Sequence, residues 1–582
     1  MSLPAGASVP LPVDAVADRR QGAVIRQLLK PEVLILLAIF TLVVRVLLIS
    51  QPVLMSDEYY YIKTSQLWHD GTIDTRSITS LPTRGEAKFP NSLFFAIYQL
   101  AFHFGDSFYV AGKLFNVFFA SVAALAIVSV ARRFMSDLAA AGIGALALWL
   151  PSSSFLPYFM PEALYEALVW LGIAALFALH ERQPRLAVAV LGAFLGAALL
   201  AKPNALAVLA GCNVVVLCLV WTTREKSTLP WRQAIVALLL INLAFVASGY
   251  LINLLLTGQL HWDPVGKFYE TGLSKVGEVD AGRSFVEAFA RYLALYVFLV
   301  MLVFGPALLA MGVGAFSGKP LSTSDVLLLA LTVFGVGVLL LGSVKVGVNW
   351  ERVYYNHIGI YSSRYMSVLF PLFMIGFVRF LPDAAPQRRW RLWVGGALLL
   401  ACLALSSTRS YVNNWLQMRD LFWPRELPPV ALRAIWALML VPLIYCAVAR
   451  VPRPRVYAVA MGLYALFSGA ILWHKDFREC QTGVQKVYAD AARTVAALVR
   501  PELYDKGHVV HKLPTSASYF MTTFPGIISV TRLGIEPEGR VPSTARWVVY
   551  LEDAQPASTA GCVSVKSATL CPLGDDVLVS PK

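Results

Sequence analysis

A chain of 582 residues that is 57% hydrophobic and only 14% charged, with a mean hydropathy of +0.63, is too apolar for a soluble protein of this length and reads as a polytopic membrane protein. Its formal charge of +14 does not point to nucleic acid, because the basic residues fall in short clusters between apolar runs, which is a pattern of membrane topology.

In chain order, residues 1–31 form a Pro/Ala/Val-rich tail, expected to be disordered before Arg19. The first apolar run, near 32–51, is long enough to span and has no small-residue cleavage site after it, so it reads as a signal anchor. Arg45 within it either snorkels outward or pairs with an acid. The next loop, 52–109, opens with Met55-Ser56-Asp57-Glu58-Tyr59-Tyr60-Tyr61. Tyr60, Tyr61, Thr64, Leu67 and Trp68 continue at helical spacing, the stripe of a helix lying in the interface and stopped at Gly71. Pro90 to Leu100 is apolar but too short to cross, and reads as a second interfacial helix.

Further spans are expected near 110–131, 138–157, 162–180, 186–201, 205–221, 234–256, 292–316, 325–343, 366–381, 392–407, 430–449 and 456–473, about thirteen in all. With the N-terminus in the cytoplasm, the inner loops carry Arg132/Arg133, Arg182/Arg185, Arg224/Lys226/Arg232, Lys319, Arg388/Arg389/Arg391 and Arg450/Arg453/Arg455, so every inner loop is basic. Residues 474–582 then lie outside the cytoplasmic membrane. They read as a small soluble α/β domain, with a helix near 484–499 and strands near 509–513, 527–532, 547–551 and 577–579. Cys212, Cys218, Cys402 and Cys446 lie in apolar runs and read as packing, whereas Cys562 and Cys571 flank a short alternating stretch that a disulfide would close as a hairpin. Cys480 is left over.

The candidate chemistry gathers on the expected outer face. Asp57 and Glu58 are adjacent carboxylates at the water-membrane boundary, suited to base catalysis; the plainer reading is a Ser56 cap with two acids in the first helical turn. Glu162 follows Pro161 at the outer start of a span, with Glu166 one turn on. This is either an intramembrane acid with a role or an ordinary helix start. Lys202-Pro203-Asn204 separates two short apolar runs and either points a lysine into the outer leaflet or is a simple hairpin turn. Arg364, beside Tyr365 at the start of a late span, can hold a lipid phosphate bidentately or anchor its helix. Lys88, before the second interfacial helix, is suited to an anionic headgroup, and Tyr61 joins the donor-binding candidates. His261, Asp263 and His357 fall on outer loops, but no pair has the helical spacing of a metal site; no cofactor is assigned, and a divalent metal is left open.

Taken together these residues resemble the GT-C glycosyltransferases, nearest the branch of protein mannosyltransferases and the aminoarabinose transferase acting on lipid A. The resemblance covers most of 32–473. It is carried by Asp57-Glu58 after the first span, Lys88-Phe89-Pro90, Ala111-Gly112-Lys113-Leu114, Glu162, the break Leu200-Ala201-Lys202-Pro203, and Arg364-Tyr365. It implies a GT-C-like membrane domain that transfers a sugar, with inversion, from a polyprenyl-phosphate donor to a lipid, glycan or protein acceptor on the outer face, Asp57 serving as base. Phe89, Lys113 and Glu162 depart from the usual Pro, Arg and Asp, which leaves sugar and acceptor open. Such a reaction needs a base and cations for the leaving phosphate and no nucleotide-binding loop, and no Walker-type motif is visible. The competing readings are a polysaccharide ligase or polymerase, sharing the outer-face cation requirement, and a lipid or sugar flippase, which would place its ionisable groups at mid-membrane in related halves.

Overall fold

The computed structural model describes residues 30–48, 58–71, 91–149, 156–222, 230–258, 307–341, 367–384, 484–511, 529–532, 543–551, 561–565 and 568–574, with single residues and pairs between. The chain enters through α1 (Pro31–Leu48), and two short helices, α2 (Glu58–His69) and α3 (Ser92–Tyr98), follow at the expected interfacial positions. The 3-10 segment Gln99–Ser107 then leads into α4 (Phe108–Ala131), α5 (Asp137–Trp149), α6 (Glu162–Leu179), α7 (Pro184–Leu199), α8 (Ala205–Thr222) and α9 (Pro230–Thr257). Among the described residues five helices are long and apolar enough to cross a membrane: Pro31–Leu48, Phe108–Ala131, Glu162–Leu179, Trp231–Thr257 and Thr323–Leu341. Asp137–Trp149, Pro184–Leu199 and Ala205–Val220 are shorter apolar helices. The spans expected over 392–407, 430–449 and 456–473 lie essentially outside the described residues.

A short turn makes α6 and α7 consecutive neighbours, and the other close pairs are brought together across intervening helices. α4 packs on α6, α6 on α7 and α7 on α9, while α1 packs on α5 and α4. In lipid there is no water to expel between helices, so close backbone approach does what hydrophobic burial does elsewhere. Gly192 and Gly196 provide it: a Cβ on either would run into the α9 backbone, at Ile241 and at Phe245 respectively. Ser248 on α9 adds a hydrogen bond, its Oγ donating to the Ala193 carbonyl at 2.8 Å. Halfway through the pair α8 and α9, Asn213 and Asn242 exchange side-chain hydrogen bonds at 3.4 and 2.8 Å, polar contacts that hold two lipid-embedded helices in register.

At the far end of the bundle from Glu162, α10 (Thr323–Ala330) begins with a capping box between Ser322 and Asp325 and runs through a π turn, Leu331–Gly335. Arg379 on α11 (Phe370–Ala384) grips both oxygens of Asp325, Nε to Oδ1 at 2.7 Å and Nη2 to Oδ2 at 2.9 Å, and its Nη1 reaches Asp383 at 3.0 Å. A bidentate guanidinium of this kind fixes orientation as well as charge. His180, just past α6, meets Ser324 at 3.2 Å, tying the same corner to α6.

The C-terminal part is a five-stranded sheet with one helix, α12 (Val484–Leu498), on it. Strands β1 (Gly507–His511), β2 (Ser529–Arg532), β3 (Trp547–Leu551), β4 (Val563–Val565) and β5 (Ala568–Pro572) lie in the order β2-β1-β3-β5-β4. β1 is parallel to β2 and β3, and β5 is antiparallel to β3 and β4. Tyr488, Ala491, Ala492 and Val495 recur at three- and four-residue steps on one face of α12 and are buried, as an amphipathic helix on a sheet requires, and Val499 just past its end is buried with them. The expectation for 577–579 needs correction: Leu578 makes only an isolated bridge to Val499, and the fifth strand is β5, whose Ala568-Thr569 start and Pro572 end hide a strand that is defined by pairing on both sides. The β4–β5 register pairs Val563 with Leu570, and one step further Cys562 faces Cys571, where a disulfide joins them.

The helix contact gives a direct test. Gly192→Ala must push α7 off Ile241 and is expected to cost about 1–3 kcal/mol as overpacking, read as a lower heat-inactivation midpoint of the detergent-solubilised protein. Gly142→Ala on α5 meets nothing within 4 Å and is the control, expected neutral or slightly stabilising.

Candidate active site

α2 opens on Glu58, which is fully buried. Its Oε1 accepts a hydrogen bond from the Tyr109 hydroxyl at 2.5 Å and another from the Phe159 backbone N–H at 2.5 Å. Tyr109 belongs to the first turn of α4, and Phe159 lies three residues before Glu162, the first residue of α6. One carboxylate thereby stitches the start of α2 to α4 and to the segment that delivers Glu162. Gly112 makes room for that segment, since a Cβ there would collide with the Phe159 ring. Lys113, also fully buried, holds its ammonium 4.2 Å over the Tyr109 ring, a cation-π contact behind the same hydrogen bond.

A second set of bonds brings Lys202 to Glu162. α7 ends at Leu199, leaving carbonyls without helical partners, and α3 begins with N–H groups in the same position. The two ends satisfy each other: Leu93 N–H donates to the Leu200 carbonyl at 3.2 Å and Phe94 N–H to the same oxygen at 3.5 Å, while Asn91 Nδ2 donates to the Ala201 carbonyl. Ser92 Oγ also donates to Asn253 Oδ1 on α9 at 3.0 Å. With the backbone of the α7–α8 turn held from outside, the Lys202 side chain turns inward and its Nζ meets Glu162 Oε1 at 2.6 Å. Both residues are buried, at 4% and 5% exposure, so each neutralises a charge that would be costly alone.

Asn116 on α4 closes the assembly. Its Nδ2 donates to the carbonyls of Leu156 at 3.1 Å and Tyr158 at 2.6 Å, and its Oδ1 accepts from the Tyr98 hydroxyl. Tyr98 stacks on Phe94 at 4.1 Å, and burial, reinforced by the Glu162 carboxylate, pushes its phenol well above the usual value, so it remains a donor. Lys63 on α2 donates to Gln66 at 3.0 Å, and burial pushes it down to about 8 against the opposing pull of Asp70.

Of the residues expected from the sequence to form a site, Glu58, Glu162 and Lys202 meet at this end of the bundle. Tyr61 lies here too, its ring edge-on to Phe94 at 5.2 Å and tilted to Phe95 at 6.3 Å, so it fastens α2 to α3. Asp57, Lys88, Arg364 and Tyr365 lie outside the described residues, although Asp57 precedes the anchored Glu58 by one position. Arg45 is buried within the bundle and does not face lipid. Tyr98, Tyr109 and Asn116 were not singled out from the sequence; the available signal was a tyrosine, a lysine and an asparagine on one otherwise apolar helix, at 109, 113 and 116. Among the described residues no group of three or more His, Cys, Asp or Glu side chains is gathered as a metal site.

Two solved structures share this architecture nearly end to end. ArnT from Cupriavidus metallidurans bound to undecaprenyl phosphate aligns over 94% of this chain and 98% of its own, with TM-score 0.54 and 15% identity. The chain has the ArnT fold. The apo state of the same ArnT gives TM-score 0.51 and 16% identity over 96% of this chain and 98% of that one. No family model and no curated protein matches the sequence. The resemblance read from scattered motifs therefore holds at the level of the fold, that of a helical membrane protein with several apolar spans and a small C-terminal sheet.

The geometry predicts how Glu58 differs from a simple surface acid in this ArnT-like frame. Glu58→Ala orphans two buried donors and is expected to cost about 2–5 kcal/mol, whereas Glu58→Gln still offers an oxygen to both and should cost less than half of that. Thermal inactivation of the two variants in detergent checks the ranking; equal losses would contradict it.

Proposed function

We propose that this chain is a glycosyltransferase that moves a sugar from a polyprenyl-phosphate donor to an acceptor, on a lipid, a glycan or a protein, at the outer face of the cytoplasmic membrane. The observation that carries it is the placement of a buried lysine-carboxylate pair beside the Glu58 clamp at one end of an ArnT fold. One of the two ArnT structures holds undecaprenyl phosphate, a lipid phosphate of the class the chemistry asks for. The orientation is supported by charge: Arg132 and Arg133 follow α4 and Arg182 and Arg185 flank the α6–α7 turn, all at the end away from Glu162 and Lys202. The N-terminus is then cytoplasmic and the disulfide-bonded C-terminal sheet lies outside, in an oxidising compartment.

In the reaction the acceptor hydroxyl attacks the anomeric carbon as Asp57 takes its proton. The bond from that carbon to the phosphate oxygen breaks, the lipid phosphate leaves with the electron pair, and a single displacement inverts the anomeric centre. Negative charge grows on the phosphate, so cations aimed at it stabilise the transition state. Lys202 is one such cation, and in this proposal Lys88, Arg364, Tyr365 and Tyr61 are the further residues assigned to the donor. Glu58 holds the polypeptide that carries Asp57 against α4 and the α6 entrance.

The test is single-turnover transfer from a panel of polyprenyl-phosphate sugars in nanodiscs, for the wild-type chain and Asp57→Asn. Asn keeps the size and any helix-capping role but takes no proton, so transfer should fall about 10²–10⁴-fold while donor binding persists. Near-normal transfer by Asp57→Asn removes the base, and absence of transfer by the wild-type chain from every donor overturns the enzyme reading.

A further inference from the structure

The Glu162–Lys202 pair raises a question that the transfer chemistry does not answer: a lysine meant for a phosphate is already neutralised, at 2.6 Å, by a buried carboxylate. We infer that Glu162 is an internal competitor for the donor phosphate, yielding Lys202 when the lipid phosphate arrives and reclaiming it to expel the lipid-phosphate product. This rests on the glycosyltransferase reading and extends it to how the site loads and empties.

The argument starts from the cost of buried charge. A buried ammonium deprived of its partner costs several kcal/mol, so Lys202 is strongly held to some anion at every stage. A carboxylate and a phosphate oxygen are interchangeable acceptors for an ammonium, which is a compact point charge on a flexible stem and can swing between them. The backbones on both sides are fixed. Glu162 starts α6 directly behind the Phe159–Glu58 bond, and the turn bearing Lys202 is bonded to Asn91, Leu93 and Phe94. Exchange therefore needs only side-chain rotation, and no helix has to move. The N-terminus of α6 gives the displaced carboxylate a favourable place to rest, since an acid at the first helical position faces the positive end of the helix dipole.

Charge also sets the direction of each half of the cycle. The sugar donor is a phosphodiester with one negative charge, and the product is a monoester carrying about −1.5 to −2 at neutral pH. The product would grip Lys202 more tightly than the donor does, and a site with no competing anion would be slow to release it. Glu162 supplies that competition from within the protein. It is a positioning residue here, acting on the phosphate through Lys202.

Equilibrium binding and dissociation of undecaprenyl phosphate, measured with the full chain in nanodiscs, test the exchange. Glu162→Gln keeps the shape and a hydrogen-bonding oxygen but removes the competing charge, so binding should tighten about tenfold, mainly through slower dissociation. Lys202→Gln should weaken binding, and the double variant Glu162→Gln/Lys202→Gln should bind like Lys202→Gln alone, because the tightening acts only through the lysine. Glu162→Asp, whose shorter arm holds Lys202 less closely, gives a smaller shift of the same sign and is the variant to measure if Glu162→Gln does not fold. A merely structural Glu162 would give weaker or unchanged binding in both Glu162 variants, and that result overturns the inference while leaving the glycosyltransferase reading in place. If the wild-type chain does not bind undecaprenyl phosphate at all, that reading falls first and the exchange with it.

Discussion

A charge buried inside a membrane protein is costly without a partner, and the contact between Lys202 and Glu162 is where that requirement organises this molecule. Glu162 is the first residue of α6, and Lys202 sits in the turn between α7 and α8, so the pair can form only if those ends meet. Each bond around it serves that meeting. The α3 amides close on the carbonyls of the turn, Glu58 closes on Phe159, and Asn116 closes on Leu156 and Tyr158. The interfacial helices are thus the lids and braces of a buried polar site, and their aromatic residues, Tyr61, Phe94 and Tyr98, supply the apolar packing that keeps water away from it.

What could be read in the sequence follows from where the physics is local. Spans such as 31–48, 108–131 and 162–179 declare themselves because a membrane demands a continuous apolar run, α3 because it is apolar and too short to cross, and α2 because its aromatic residues recur at helical spacing. Glu162 and Lys202 stood out singly because charge at a span end is expensive. That they neutralise each other was not legible, since 40 residues separate them and their contact depends on how α6 and α7 pack. The same holds for Glu58 and Tyr109, 51 residues apart. Gly192 and Gly196 look like ordinary glycines in a run of small residues until the α9 backbone is placed against them. In the C-terminal sheet, β1, β2 and β3 overlap runs whose β-branched residues mark them as strands, and β5 becomes a strand only through its neighbours on both sides.

Sharing a fold with ArnT at 15% identity is consistent with this division. Lipid-facing positions need only be apolar, and Leu36, Phe40, Leu239 or Leu255, all exposed, can be exchanged for other apolar residues at little cost. The few polar contacts between helix ends cannot be exchanged one at a time, because each leaves a buried group without its partner.

The central claim is that the end of the bundle holding Glu58, Glu162 and Lys202 is where a lipid phosphate is bound. A structure of the full chain in nanodiscs with undecaprenyl phosphate tests it most directly. The account predicts the phosphorus at this end with a phosphate oxygen within about 4 Å of Lys202 Nζ and the Glu162 carboxylate turned away from it. Lipid phosphate bound at the Arg379 end of the bundle, with the Glu162–Lys202 contact intact, would contradict it.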